Sequence, residues 1–497
     1  MKEELNEILD RKITQHDRHQ FEIKFDVNLT PDTKCSEYKV ELFFFIPKSL
    51  GINNKTYSKN DFYLDIQNYL RFKTPHIAIT KIFSPENTVS PYNRVKNNLA
   101  AFKPGQNNNE LASNTISELK LLGCIIKSNI RDDVKAIIDG NIDSTSLISE
   151  FVNTLIKNVI TNIRGLEAGF DSAVIPSRVV ESYFFLDEFV SLTVESYMTV
   201  LMQYLDKKKI FLELMPEIGN IIKNEILRRK NRKYQSLLSH DTENESYGYR
   251  KGILKKFISS ILFLKMEERK EKGIHELLFG IAAGIAMLLA VLLGVFLQAR
   301  FATDSIVFVS AVVIGYVFKD RLKDWLKVYF SAQMSQWLFD SKINILDPLK
   351  NNNIIGVFKE AFIFPILKHI PADVIKMRHL DNITSVDEEG KPEEIMKYGK
   401  RVNFYNRKIL GVHHRLTSLN DIIRFNISRF LYRADDSKYN QQYYNIETGK
   451  FDSVLCSKVY HINIILRYTF FTKSGQTIKL EKVRLIANRD GIQKIEM

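Results

Sequence analysis

An uncharged apolar run near the middle of the chain constrains its fold more than any other feature. Residues 277–297 form a run of 21 positions without Asp, Glu, Lys or Arg. As an α-helix, at about 1.5 Å per residue, this run would extend ~31 Å, close to the ~30 Å hydrocarbon core of a bilayer. Helices of soluble proteins are usually apolar on one face, whereas this run is apolar on every face. The sequence therefore predicts a transmembrane helix.

A second, weaker apolar run follows after a short polar break. Residues 306–318 are apolar over 13 positions, and extension back to Phe301 gives 18 positions, or ~27 Å of helix. Asp304 lies near the start of this run, where a charge can reach the interface at much lower cost than at mid-membrane. The break is too short for a domain, so we predict a two-helix transmembrane hairpin with spans at 277–297 and 301–318.

Small residues recur at helical spacing in the first span. They permit close approach of a second helix in lipid, where hydrophobicity provides no attraction between helices. We predict that they form a packing stripe, either against the second span or against another copy of the chain, which leaves a homo-oligomer open. The residues are Gly280, Ala282, Gly284, Ala286, Ala290 and Gly294.

Basic residues are concentrated beside the apolar runs. Of the net charge of +13, +7 lies in residues 223–272 and +2 in 319–327. Near the outer ends of the two runs are eight Lys or Arg residues, whereas the connecting segment has only Arg300. The positive-inside rule then predicts two spans with both termini cytoplasmic, in the plasma (inner) membrane if the Lys-, Asn- and Ile-rich chain is bacterial. The eight are Lys265, Arg269, Lys270, Lys272, Lys319, Arg321, Lys323 and Lys327.

The N-terminus agrees with this topology. It is charged and has no apolar segment typical of a cleavable signal peptide. We therefore expect the first span to act as an internal insertion signal.

The charged segment after the second run has helical periodicity. Leu322, Trp325, Leu326, Tyr329 and Phe330 are spaced as one face of a helix. We predict an amphipathic helix over 319–347 on the inner membrane surface, and a basic juxtamembrane helix over 249–276 before the first span. For both, packing on the cytosolic part is the alternative. The residues expected to contact anionic headgroups are Lys319, Arg321, Lys323, Trp325 and Lys327.

The region 1–248 begins with strand-like alternation and continues with helical periodicity. Residues 20–29 and 38–46 alternate strictly and predict a β-hairpin. Because an isolated hairpin is marginally stable, it needs a partner, either the C-terminal strands or the helices. Helices follow, with short connections typical of an antiparallel bundle. Their predicted ranges are 58–72, 109–138, 144–166, 177–208 and 216–238.

The region 348–497 is predicted to be a cytosolic α+β domain. A helix is predicted over 416–432. The last forty residues alternate and contain two turn signals, "KSGQ" and "RDG", which predict an antiparallel β-meander. The fold class is thus a membrane protein of α+β type, with a helical hairpin between a mainly helical N-terminal region and this C-terminal region.

Residue patterns of known catalytic or metal sites are not found. The sequence contains no P-loop, dinucleotide-binding, zinc-protease or hydrolase motif, and three cysteines without a CxxC pair. His16 with His19, His413 with His414, and Asp435 with Asp436 are interpreted as structural or solvated residues. No cofactor, metal or nucleic acid is expected.

Three functions fit these observations. The first is a non-enzymatic sensor, scaffold or interaction module that is anchored at the inner membrane surface, with the lipid bilayer as its partner. The second is an oligomeric two-span pore, although few polar side chains are available to line it. The third is a membrane-bound enzyme whose motif is not recognised.

Overall fold

The described strands form two larger antiparallel sheets and one separate hairpin. The computed structural model describes residues 13–29, 34–104, 108–140, 145–170, 174–240, 243–269, 272–300, 305–334, 339–347, 353–381, 392–411, 415–472 and 475–497. The chain is α+β with antiparallel sheets, which confirms the fold class at this level. The strands are β1 Ile13–Gln15, β2 Gln20–Asn28, β3 Ser36–Pro47, β4 Ile66–Phe72, β5 Lys265–Arg269, β6 Ser341–Leu346, β7 Ile354–Ile363, β8 Glu393–Phe404, β9 Ser418–Asn426, β10 Lys438–Asn445, β11 Lys450–Ser457, β12 Tyr460–Thr472, β13 Gly475–Asn488 and β14 Gly491–Glu496.

The described helices lie between these strands in the chain. The segment between α5 and α6, Phe151–Ile156, is π-helical, so the helix predicted over 144–166 is interrupted. The helices are α1 Lys59–Asp65, α2 Ile79–Ile82, α3 Pro91–Ala101, α4 Asn109–Ile138, α5 Thr145–Glu150, α6 Lys157–Gly165, α7 Ser177–Lys208, α8 Met215–Asn231, α9 Glu245–Ser259, α10 Lys272–Arg300, α11 Ile306–Met334, α12 Ala372–Arg378, α13 Asn406–Leu410 and α14 Ser428–Leu431.

The two larger sheets pack face to face and share one core. The eight-stranded sheet has the order β14-β13-β12-β3-β8-β7-β6-β5, and the four-stranded sheet has the order β1-β2-β9-β4. Aromatic rings fill the space between them: the rings of Phe44 and Phe425 lie 5.0 Å apart, and those of Phe25 and Tyr468 lie 4.7 Å apart. Strands from both ends of the chain therefore build a common core.

The predicted N-terminal hairpin is wrong in its pairing, although both strands exist. β2 pairs with β9, and β3 pairs with β12 on one edge and β8 on the other. Leu42, Phe43, Phe44 and Ile46 are fully buried, so both faces of β3 are covered. Such a strand is a central strand that needs two neighbours, and alternation alone does not specify them. The N-terminal strands join the C-terminal ones, which answers the question that the sequence left open.

Two predicted helices contain strands instead. In 58–72, a capping box of Ser58 and Asp61 starts α1, but the chain turns into β4 after Asp65. In 416–432, the chain forms β9 and then the short α14. β9 is one of the two central strands of its sheet and is buried on both faces, and its apolar residues Leu419, Ile422 and Ile423 have the spacing of one face of a helix.

The predicted helical bundle is present. α4 and α7 have the bounds that the sequence predicts, while α8 ends earlier than predicted, at Asn231. Buried ion pairs connect α7 to its neighbours: Glu188 pairs with Arg250 of α9 at 2.6 Å and Asp187 pairs with Arg228 of α8 at 3.0 Å. These pairs hold the helices against one another. Separating a buried pair would leave each charge without a partner and away from water, which is energetically costly.

The predicted C-terminal meander is also present. β12 pairs antiparallel with β13, and β13 with β14, in the order that the two turn signals predict. Gly491 has φ +126°, and a Cβ there would lie 2.2 Å from the carbonyl oxygen of Arg18, so the second turn requires glycine.

Candidate membrane interface

The apolar runs form two long helices that lie side by side. α10 and α11 are 29 residues each. A Cβ at Gly315 of α11 would lie 2.6 Å from a methyl group of Leu293, and the ammonium of Lys327 lies 5.7 Å from the ring of Phe279. Late residues of α11 thus approach early residues of α10, so the two helices are antiparallel.

The first helix of the pair exposes most of its apolar surface. Within 279–300, a stretch of 22 residues, only 11% of the most apolar part is buried. Among the described residues, α10 is the one helix that is long enough and apolar enough to cross a membrane, as judged by length and composition only. The apolar part of α11, 306–318, is 13 residues or ~20 Å, and charged residues follow it. Two spans are therefore not confirmed.

The predicted packing residues fall on two faces of α10. Ala282 and Ala286 are buried and Ala290 is partly buried, as expected for the side that approaches α11, while Gly294 is partly buried but a Cβ there would meet no atom within 4 Å. Gly280 and Gly284 are exposed, and a Cβ at either position would meet no atom within 4 Å. The GxxxG pair is thus outside the contact within the chain. A role of either set in membrane packing stays a prediction.

The basic segment after the second run continues the helix. α11 passes through Phe318 and Lys319 without interruption and ends at Met334, so the helix predicted over 319–347 is present to Met334 as part of α11, while its predicted end is wrong because β6 occupies Ser341–Leu346. No Pro or Gly occurs between 316 and 334 to end a helix there.

The predicted headgroup contacts lie around the circumference of this part of α11. Lys319 is partly buried, with its ammonium 3.7 Å from the centroid of the Tyr316 ring, and Lys323 and Lys327 are partly buried as well. Arg321 is exposed, and Trp325 is 66% exposed. Their contact with lipid stays a prediction.

Two paired strands form the base of the helix pair. β5 leads towards α10 and β6 follows α11, and these strands pair antiparallel, with Lys265 opposite Leu346 and Arg269 opposite Lys342. The juxtamembrane helix predicted over 249–276 is therefore wrong: α9 ends at Ser259 and a strand follows. Residues 265–269, "KMEER", contain one apolar residue, so periodicity offered no strand signal.

Asp340, just before β6, attaches the base to the body. Its carboxylate accepts hydrogen bonds from the Lys59 ammonium at 2.5 Å, the Tyr63 hydroxyl at 2.8 Å and the backbone N–H of Phe362 at 2.8 Å. These donors belong to α1 and β7. The strand base of the helix pair is thus hydrogen-bonded to α1 and β7 of the body.

A buried polar network lies between the two sheets next to this base. Lys400 and Asp421 are fully buried and pair at 2.7 Å, and Asp421 also accepts from the Tyr38 hydroxyl at 2.8 Å. Burial raises the pKa of Tyr38 well above its ordinary value, and the Asp421 charge adds to the effect. The tyrosine therefore stays protonated and acts as a donor.

The network reaches β6 through Glu360. The Tyr398 hydroxyl and the Ser341 hydroxyl donate to its two carboxylate oxygens at 2.7 and 2.9 Å. Asn68 connects the two halves, since it donates to Glu360 and accepts from Lys400. Because the charged members have close partners, this arrangement is typical of structural networks that specify one packing.

Of the other residues singled out in the sequence, His16, Asp435 and Asp436 are exposed. His16 lies 3.5 Å from the Glu22 carboxylate, while His413 and His414 lie outside the described residues. Asp435 pairs with Lys458 and Asp436 with Arg489. The described residues contain no group of three His, Cys, Asp or Glu side chains that could hold a metal ion, and Cys35, Cys124 and Cys456 are free.

Comparisons with known proteins do not identify a relative. No protein family, characterised protein or solved structure matches the chain. A function for this chain therefore has to be inferred from its own residues and their geometry.

Proposed function

We propose that the chain is an integral membrane protein whose α10–α11 pair crosses the membrane twice and anchors the folded body at the cytoplasmic surface. In this proposal the body is a non-enzymatic scaffold or sensor. The observation that carries it is the exposure of α10, an apolar helix of membrane-spanning length that remains almost uncovered in the folded chain. Exposed apolar surfaces of this size mark contact with a membrane or a partner.

The strand base supports two spans rather than one. β5 and β6 are hydrogen-bonded neighbours, so the chain enters α10 and leaves α11 on the same side of the helix pair. If α10 crosses the bilayer, α11 has to cross back. Its apolar part is short, but Lys319 and Lys323 have long side chains that can extend to the headgroups, and the bilayer can thin locally.

The basic flanks support the cytoplasmic orientation of the body. Lys and Arg lie on the base side of both helices, whereas the far end of the pair carries Arg300. Since the base side carries the rest of the fold, both termini are on that side in this proposal. Anionic headgroups of the inner leaflet are the expected contact of the basic residues of α11.

The mode of attachment supports a scaffold or sensor with a fixed orientation. The helix pair is inserted between two strands of an eight-stranded sheet, and Asp340 binds both α1 and β7. A tilt of the helices would therefore act directly on the edge of the sheet. An anchor joined by a long flexible linker would lack this coupling.

Cysteine labelling in intact bacterial cells that express the chain tests the topology. The three native cysteines are replaced by Ala or Ser. One variant then carries only Gln298→Cys, at the far end of α10, and a second retains only Cys35, which is exposed on the body. We expect a membrane-impermeant maleimide to label the Gln298→Cys variant in intact cells and to label Cys35 only after permeabilisation.

Alkaline carbonate extraction of the same membranes provides the control. We expect the protein to remain in the pellet. Release into the supernatant, or labelling of both variants from outside, would contradict the proposed anchor.

Reconstitution in liposomes separates an anchor from a pore. We expect no conductance, because the exposed faces of α10 and of α11 as far as Phe318 are mostly aliphatic and aromatic, with Ser310 as one of the few polar exceptions. A steady conductance that scales with protein content would favour the pore instead.

A further inference from the structure

A second surface of the body has the properties of a ligand site. A cleft of about 460 Å³ lies between the four-stranded sheet and helices α4, α7 and α9. This volume is within the range of small-molecule sites. We call it the cationic cleft, after the five basic residues that line it: Lys24, Lys127, Lys251, Lys255 and Arg424.

The basic residues converge on the cleft from separate parts of the chain. Lys24 lies on β2, Lys127 on α4, Lys251 and Lys255 on α9, and Arg424 on β9. They are distant in sequence and come together only because the sheet packs against the bundle. Like charges repel, so their convergence opposes folding unless a counter-charge is present.

The two carboxylates of the cleft are already engaged. Glu195 forms an ion pair with the buried Arg229, which lies behind the cleft wall, and Glu22 accepts from the Nε of Arg424 at 2.9 Å. Five cations against two carboxylates leave three positive charges, before the contribution of Arg229 is considered. Of the lysines, Lys24 is 3.9 Å from Glu22, which Arg424 already engages, and Lys251 is 3.3 Å from the hydroxyl of Ser196.

One wall of the cleft is apolar. Phe189, Leu192, Val200, Leu238 and Tyr247 line it, with hydroxyl groups of Ser196 and Thr199 nearby. An inorganic anion would use the lysines and leave this wall in contact with water. A ligand with both an anionic part and a ring or aliphatic part would use both.

We propose that the cationic cleft binds a small molecule with two or more phosphate groups and a ring or aliphatic portion. The phosphates contact the lysines of β2, α4 and α9, and the apolar portion lies against Leu238 and Tyr247. A nucleoside polyphosphate and a phosphorylated lipid headgroup share this chemistry. The site is in the body and does not depend on how the helix pair meets a membrane.

Isothermal titration of the full chain in a non-ionic detergent tests the proposal. The probes are ATP, GTP, pyrophosphate, inorganic phosphate and a short-chain phosphoinositide lipid. The test variant is the double substitution Lys251→Gln and Lys255→Gln, and the matched control is Lys256→Gln, which removes a charge from the same helix outside the cleft. All three lysines are exposed, so the variants should keep the unfolding temperature of the unliganded protein.

We expect binding of at least one probe that combines phosphates with a ring or aliphatic portion. The double variant should weaken it tenfold or more, or about 1.4 kcal/mol, while Lys256→Gln changes it by less than about twofold. Binding of ATP or GTP would identify a soluble ligand, and binding of the lipid alone would identify a headgroup. Absence of binding at millimolar concentration, or equal weakening by Lys256→Gln, would overturn the proposal.

Discussion

Two pairs of long helices in this chain have similar lengths and opposite surroundings. α4 and α7 are 30 and 32 residues long, and α10 and α11 are 29 residues each. Leu122 of α4 is fully buried, whereas Leu288 of α10 is 61% exposed. The bundle helices contact each other and α3, α8 and α9, whereas α10 packs mainly on α11. Whether a long apolar helix is part of the core or a candidate membrane span thus depends on how much of its surface other elements cover.

Removal of the exposed pair should have the largest effect. Replacing residues 270–340 with Asn-Gly joins β5 to β6 through a short hairpin, because Arg269 and Lys342 are already opposite each other. We expect the protein to move from the membrane fraction to the aqueous fraction, measured by ultracentrifugation. The thermal midpoint should fall by only a few degrees, since the contacts of Asp340 are lost. A variant that stays in the pellet while folded would show that the body also binds membranes.

Arginine substitutions at matched leucines should separate the two pairs. Leu122→Arg places an unpaired charge in the core, so we expect a loss of about 3–5 kcal/mol in the free energy of unfolding of the body. Leu288→Arg, near the centre of α10, should leave the thermal midpoint of the body unchanged and disfavour insertion by ~3 kcal/mol, read from the glycosylated or membrane-inserted fraction. If Leu288→Arg leaves insertion unchanged, α10 is not a span.

Substitutions of glycines at helix contacts should also separate the two pairs of helices, with smaller effects on stability. A Cβ at Gly123 of α4 would lie 2.9 Å from side-chain carbons of Ile258 and Leu186, and one at Gly315 of α11 would lie 2.6 Å from Leu293. We expect Gly123→Val to destabilise the body by about 1–3 kcal/mol through overpacking. Gly315→Val should separate α10 from α11 without changing the denaturation of the body.

The Gly315→Val variant is measured by disulfide trapping. Cysteines placed at positions 293 and 315 should cross-link in an otherwise unchanged pair. Cysteines on neighbouring turns should cross-link less when Gly315→Val is present, and Gly165→Val, which has open space, is the control. Unchanged cross-linking would contradict a close antiparallel contact.

Acid should act on the body and not on the helix pair. Glu41 of β3 is buried, which raises its pKa, but Lys397 and Lys39 at 2.8 and 2.9 Å outweigh burial and lower the pKa from 4.5 to about 2. Because the folded-state pKa is depressed, its stabilisation is complete above pH 4.5 and is lost as the pH falls towards 2. We expect Glu41→Gln to lower stability by about 1–2 kcal/mol at pH 7 and to flatten this part of the pH profile, measured by urea denaturation. An unchanged profile would contradict the assignment.

Local signals account for the parts of this fold that the sequence predicts well. The uncharged run at 277–297, the bounds of α4 and α7, and the turns between β12, β13 and β14 all depend on residues close in sequence. Helical periodicity, the absence of charge and Gly-containing turns act within a few residues. Such features are therefore readable without knowledge of the rest of the chain.

Long-range pairing accounts for what the sequence left undecided. β3 was expected beside β2 and lies between β12 and β8, and β9 was expected to be a helix because burial on both faces hides the period of a strand. β5, at the base of the helix pair, carries almost no local signal and is a strand because β6 is its neighbour, whereas β6 alternates through Ile343 and Ile345 and lies between β5 and β7. The cationic cleft likewise exists only where the four-stranded sheet meets α4, α7 and α9. Which strands pair, and where a cleft forms, depends on burial between segments that lie hundreds of residues apart. Periodicity along one segment does not indicate which distant segment will cover it.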